Sequence, residues 1–182
     1  MNPRVLIAGI GNIFQGDDAF GVTVVQKLGE IELGGDVRVM DIGIRTIDLA
    51  FALTDDYDLV ILVDATARSG EPGTLYTIGI EPDDIPDAAD EPSMVNSHGL
   101  NPVRVLALAK SMGAKLKRVL LVGCEPLVLD RDESGYIGLS EAVEAAVGPA
   151  VETIRMLVEE FTENQRSFDI LRKQEVCSHE HV

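Results

Sequence analysis

The sequence contains no tryptophan, and aromatic residues make up only 4% of its 182 positions, so a core must be built from Val, Leu, Ile and Ala. Cysteine is scarce as well. Cys124 sits in an apolar run and Cys177 in a polar stretch near the end, which excludes the disulfide framework of a small secreted domain. Basic residues are few: 15 Lys and Arg face 31 Asp and Glu, for a formal net charge of -16. A surface this acidic repels phosphate backbones and excludes nucleic acid as a partner. No apolar run approaches the roughly 20 residues of a membrane span. The opening MNPRVLIAGIGN lacks the length and cleavage pattern of a signal peptide. A cytoplasmic protein with reduced thiols and no membrane insertion is expected.

What is present is an alternation of strand and helix signals. Residues 5–8 are a short apolar run ending in Gly9-Ile10-Gly11-Asn12, a buried strand entering a tight turn. Phe20, Val22, Val24, Val25 and Leu28 then mark a helical face, and residues 37–40 a second strand closing on Asp41-Ile42-Gly43. Ile47, Leu49, Ala50, Ala52 and Leu53 suggest a second helix. The run Asp58-Leu-Val-Ile-Leu-Val-Asp64 reads as a strand buried on both faces, as in a parallel sheet covered by helices. Strands are also expected over 74–80 and 118–123, and a helix over 100–112. Residues 81–97 form a long acidic loop. Ser140 is expected to cap a long helix with Val143, Val147, Ala150, Ile154, Leu157 and Phe161 along one stripe. The expectation is one α/β domain over residues 1–161, a three-layer sandwich. Its twisted, mostly parallel sheet has about five strands, with helices on both faces. A frayed or disordered polar tail follows over 162–182.

Several familiar chemistries fail on spacing. Gly9 and Gly11 open a dinucleotide-like turn, but the third glycine position is Phe14, and no Gly-Lys-Ser/Thr follows for a P-loop. Neither Asp18 nor Asp64 is followed by Thr-Gly or Ser-Gly, and the G-x-S-x-G elbow is absent. Ligands of open α/β sheets gather outside the carboxyl ends of the strands. Asp64 ends the third run there, and Asp18 lies at a helix start on the same side. An aspartate at a helix start is also an ordinary cap, whereas one ending an apolar strand must find a partner. His98, the single histidine outside the tail, precedes a helix on that side. One imidazole and two carboxylates form an incomplete nitrogen and oxygen set, suited to nickel, zinc or cobalt with positions left open. The tail segment Cys177-Ser-His179-Glu-His181 matches no zinc spacing and reads as adventitious.

Taken together, Gly9-Ile-Gly11-Asn12-Ile-Phe-Gln-Gly-Asp17-Asp18-Ala-Phe-Gly21, Val63-Asp64-Ala65 and Ser97-His98-Gly99-Leu100 resemble the three motifs of the hydrogenase maturation endopeptidases. Val122-Gly123-Cys124-Glu125-Pro126 agrees as well, and the resemblance spans roughly residues 4–160. It implies removal of a C-terminal extension from the precursor of a [NiFe]-hydrogenase large subunit. Nickel carried by that precursor is the recognition signal, and the protease needs no permanent metal of its own. The family's metal-contacting positions fall on Asp18, Asp64 and His98, with the two carboxylates as candidates for breaking the peptide bond. Two departures stand out. The first position is often Glu, here Asp18, and the segment after the second strand is often Gly-Gly-Thr-like, here Gly43-Ile44-Arg45-Thr46. Arg45 is free to pair with an acid of the precursor or a neighbouring one. The attacking group is a carboxylate or a metal-polarised water. Two other readings stand beside this one: a nickel-independent peptidase or amide hydrolase on a related scaffold, and a non-enzymatic nickel-binding chaperone.

Overall fold

The computed structural model describes residues 3–86, 102–127 and 137–179, with positions 166–179 in backbone only. Five strands form one sheet: β1 (Arg4–Ile10), β2 (Asp36–Gly43), β3 (Leu59–Ala65), β4 (Leu75–Ile80) and β5 (Val119–Cys124). Four α-helices accompany them: α1 (Phe20–Leu28), α2 (Thr46–Ala52), α3 (Pro102–Ser111) and α4 (Glu141–His179). The order across the sheet is β2-β1-β3-β5-β4, parallel except for the antiparallel β4–β5 pair at one edge. This is the mostly parallel α/β sandwich expected from the strand–helix alternation. The antiparallel edge follows from the short link between β3 and β4, because a parallel crossover needs a dozen or more residues.

Alternation along the central strands feeds two cores. Val5, Ile7, Ile61 and Val63 pack with Phe20, Val24 and Leu28 of α1 and with Val143, Val147, Ile154 and Val158 of α4. Leu6, Ala8, Val60 and Leu62 face the other way, against Leu49 and Ala50 of α2 and Val105 and Leu106 of α3. With both faces covered, β1 and β3 are apolar along nearly their whole length. The α4 stripe includes Val158 at 1% exposure, whereas Leu157, assigned to it from spacing, only packs against its margin.

α4 continues to His179, past the point near Thr162 where a frayed tail is expected. The extra turns include a run of good helix formers, Leu171-Arg172-Lys173-Gln174-Glu175, with Glu163, Gln165 and Arg166 before it, and this propensity favours helix beyond the apolar stripe. Cys177 and His179 lie in that backbone-only stretch, and His181 lies outside the described residues. No helix among the described residues is long and apolar enough to cross a membrane.

The chain runs from β1 outward to β2, then returns to place β3 on β1's other side. The strand order therefore reverses between β1 and β3, and their carboxyl ends open the crevice where such sheets bind ligands.

Candidate active site at the strand ends

Two carboxylates flank that crevice. β1 leads into Gly11, whose φ of +134° an L side chain rarely adopts. A Cβ on Gly11 would lie 1.7 Å from the Asp18 carbonyl oxygen, so the chain folds back directly onto itself. Successive turns, Gln15 N–H to Asn12 O (3.0 Å) and Asp18 N–H to Gln15 O (3.2 Å), bring Asp18 round. It sits in a short 3-10 turn, Gly16–Ala19, ahead of α1. Its carboxylate accepts the Asn12 N–H at 2.6 Å. Neither the 3-10 turn nor α1 has a side-chain cap, so ordinary capping does not account for Asp18.

Asp64 is the last residue but one of β3, opposite Gly123 of β5, and only 6% exposed. Burial pushes its pKa well above 3.8; the neighbouring Asp18 charge adds to the rise, and the Ala65 N–H only partly offsets it. Asp18 is also raised, by burial, against the lowering effect of the Asn12 N–H. Two acids whose ionisation burial opposes, one of them raised further by the other's charge, favour protonation or an incoming cation. His98 lies outside the described residues. Among the described residues no group of three or more His, Cys, Asp and Glu gathers as a metal cage. Of the described residues at the crevice, Asp18 and Asp64 are the carboxylates that could contact a metal, and two carboxylates would suit one that arrives with other ligands of its own.

Other residues work around the pair. Asp17, beside Asp18 and fully buried, accepts the Leu127 N–H (2.8 Å), the Ser140 N–H (2.6 Å) and the Ser140 hydroxyl (2.9 Å). The Ser140 hydroxyl therefore serves Asp17, while its carbonyl accepts the first turn of α4 from Glu144. Glu125, just past β5 and 4% exposed, accepts the Arg68 N–H (2.8 Å), the Ser69 N–H (3.1 Å) and the Tyr76 hydroxyl (2.8 Å). Burial alone would raise the Glu125 pKa, but these donors together hold it below the usual range. Sequence reasoning passed over Asp17 and Glu125 as working parts. A usable signal was there for Glu125, a carboxylate ending an apolar strand as Asp64 does. Arg45 pairs with the neighbouring Asp48 (3.3 Å) and donates to the Asp41 carbonyl.

Cys124 is fully buried. Burial, with the Asp17 and Glu125 charges behind it, pushes its thiol pKa up to about 12. A thiol so placed is a packing residue rather than a nucleophile. Peptide-resolved mass analysis after iodoacetamide at pH 8 should find Cys124 unmodified in the native protein and alkylated once unfolded. Rapid native alkylation would contradict its burial.

A sequence profile of hydrogenase maturation proteases matches residues 22–156. The chain belongs to this family. The hydrogenase expression/formation protein HupD of Rhizobium leguminosarum bv. viciae is 34% identical over 157 residues, 85% of this chain and 74% of that protein. The hydrogenase 2 maturation protease of Escherichia coli (strain K12) is 30% identical over 152 residues, 83% and 88% of the two chains. Among solved structures, the hydrogenase maturating endopeptidase HybD from E. coli superposes with a TM-score of 0.66 at 28% identity, covering 86% of this chain and 93% of its own. A hydrogenase 2 maturation peptidase from Thaumarchaeota archaeon SCGC_AB-539-E09 gives 0.64 at 35% identity, covering 86% and 98%. This hydrogenase maturation protease is thus an enzyme that hydrolyses peptide bonds, and its strand-end crevice is where the family's fold offers room for a substrate.

Proposed function

We propose that this protease removes the C-terminal extension of a [NiFe]-hydrogenase large-subunit precursor after nickel insertion, and that it reads the nickel still held by the precursor. The observation carrying this reading is the Asp18–Asp64 pair at the β1–β3 crevice, two buried carboxylates whose raised pKa values show no cationic partner among the described residues. Nickel held by the precursor would supply that charge, with His98 as a third ligand. Docking the metal then brings the scissile peptide to the crevice, and positioning supplies much of the acceleration. One of the two carboxylates serves as base or nucleophile in the cleavage, making the chemistry aspartate-dependent. The metal is part of the substrate and leaves with the product, so the protease keeps none between turnovers. The reaction belongs in the cytoplasm, where such precursors would be assembled.

The surroundings of the crevice suit a protein substrate. Ile13 and Phe14 after β1, Ile44 after β2 and Leu127 after β5 are all large apolar residues left exposed. Apolar patches of this kind mark protein contacts more often than small-solute sites.

The test is cleavage of candidate precursors with and without nickel, read by mass. Wild-type protein should shorten only the nickel-loaded form, and His98→Ala should lose about 10²-fold or more, as expected when positioning is lost. Equal cleavage of nickel-free precursor would replace the proposal with a nickel-independent peptidase. Stoichiometric nickel uptake without cleavage would replace it with a metal carrier.

A further inference from the structure

The segment leaving β5 touches both loops of the site. Going one way, the Glu125 carboxylate gathers the Arg68 and Ser69 N–H groups, 57 and 56 positions away, together with the Tyr76 hydroxyl. Those amides belong to the turn that follows Asp64 and Ala65. Ser69 has a φ of +63°, left-handed backbone that a serine holds only where its surroundings impose it. The backbone joins in: Thr66 N–H donates to Cys124 O, and Gly73 N–H to Glu125 O, both at 2.8 Å. In the other direction, the Leu127 N–H donates to Asp17, 110 positions away, in the 3-10 turn that also carries Asp18. Asp17 then reaches Ser140 at the start of α4. Between the two ties lies Pro126, whose ring fixes φ and leaves little play.

We propose that residues 124–127 form a fixed post to which both site-bearing loops are tied, with Glu125 and Asp17 as positioning residues that set the separation of Asp18 and Asp64. This rests on the reading of Asp18 and Asp64 as the working pair. Backbone hydrogen bonds alone would hold the sheet. The two buried carboxylates do something else, each gripping segments remote in sequence through several amides at once. Removing either leaves buried N–H groups without partners and frees the turn they belong to.

The experiment compares Glu125→Gln, Asp17→Asn and a control, Leu59→Ala, in the full chain. Leu59 is buried at the far, amino end of β3 and should lower stability without touching the crevice. Peptide-resolved hydrogen exchange and cleavage of nickel-loaded precursor are both measured at a temperature where circular dichroism finds every variant folded. Glu125→Gln should speed exchange in residues 66–70 and also in residues 12–18, which Glu125 itself does not touch. Its kcat should fall by about 10²-fold with KM within about 2-fold, the signature of lost positioning rather than lost binding. Leu59→Ala should keep the wild-type kcat. If Glu125→Gln does not fold, Tyr76→Phe removes one donor from the same carboxylate and should give the same pattern at smaller amplitude. Faster exchange confined to 66–70, or a kcat no lower than that of Leu59→Ala, overturns the proposal. Wild-type protein that cleaves no precursor overturns the proposed function instead, and the exchange pattern then decides the post independently.

Discussion

Asp64→Asn is expected to melt higher than the wild-type protein at pH 7 while losing the reaction. Asp64 is almost fully buried, and its pKa in the fold lies well above 3.8 because of burial first and the Asp18 charge second. A group raised in this way contributes stability in full below its unfolded value, and the contribution is lost as pH rises through the folded value. At neutral pH the side chain therefore works against folding, because the unfolded chain ionises it freely and the folded chain does not. Asparagine has the same shape, offers an oxygen to the Ala65 N–H and carries no charge at any pH. Its melting temperature should exceed that of the wild type at pH 7, each 1 kcal/mol appearing as roughly 2–4 °C for a chain of this length. The difference should close as pH falls toward 4. Melts in EDTA at the two pH values decide it, and a lower Tm for the variant at pH 7 would sink the argument. Loss of a carboxylate acting as base or metal contact should cost about 10²–10⁴-fold in cleavage. A stability gain coupled to lost activity is the trade-off expected of a site whose buried charge serves the reaction rather than the fold.

Gly21→Ala should strongly destabilise the fold although it adds only one methyl group. Gly21 is the second residue of α1, pressed onto the crossing point of β1 and β3. A Cβ there would lie 2.1 Å from the Val63 carbonyl oxygen and 2.3 Å from that of Ile10. Both are backbone atoms of central strands, so no side chain can swing away to make room. The helix would have to lift off the sheet, taking the Asp18 turn with it. Alanine's better helix propensity, worth about 1 kcal/mol, is outweighed by overpacking of about 1–3 kcal/mol or more. Gly29 makes a clean comparison. It has a helical φ of -65°, and a Cβ there meets nothing nearer than 3.4 Å, so Gly29→Ala should be neutral or slightly stabilising. Urea midpoints of the two variants test this, and a Gly21→Ala midpoint equal to the wild type's would disprove the close approach.

The strands and most helix limits were legible because burial on both faces leaves a plain apolar signature. The run ending at Asp64 could be read as a central strand without any coordinates. Asp64 was legible for the same reason, since a carboxylate there interrupts an otherwise apolar run. Asp18 was harder, because its spacing from α1 fits a cap equally well. The contact that separates the two readings, the Asn12 N–H on its carboxylate, depends on a turn made by Gly11. Along α4 the apolar periodicity stops near Phe161, while the helix runs on to His179, so the stripe does not mark the helix end.

From sequence alone followed the α/β class, the order of most elements and the resemblance that later proved to be family membership. Those properties are local or compositional. They depend on periods of two and 3.6 residues and on short motifs, all carried by neighbours along the chain. Tertiary structure alone decided that β3 lies beside β1 with the crevice between them, that Asp18 raises the pKa of Asp64, and that Asp17 and Glu125 are ties. Each of these joins residues dozens of positions apart. Such pairings are set by how the sheet packs between its two helical layers, and no local pattern in the chain records them.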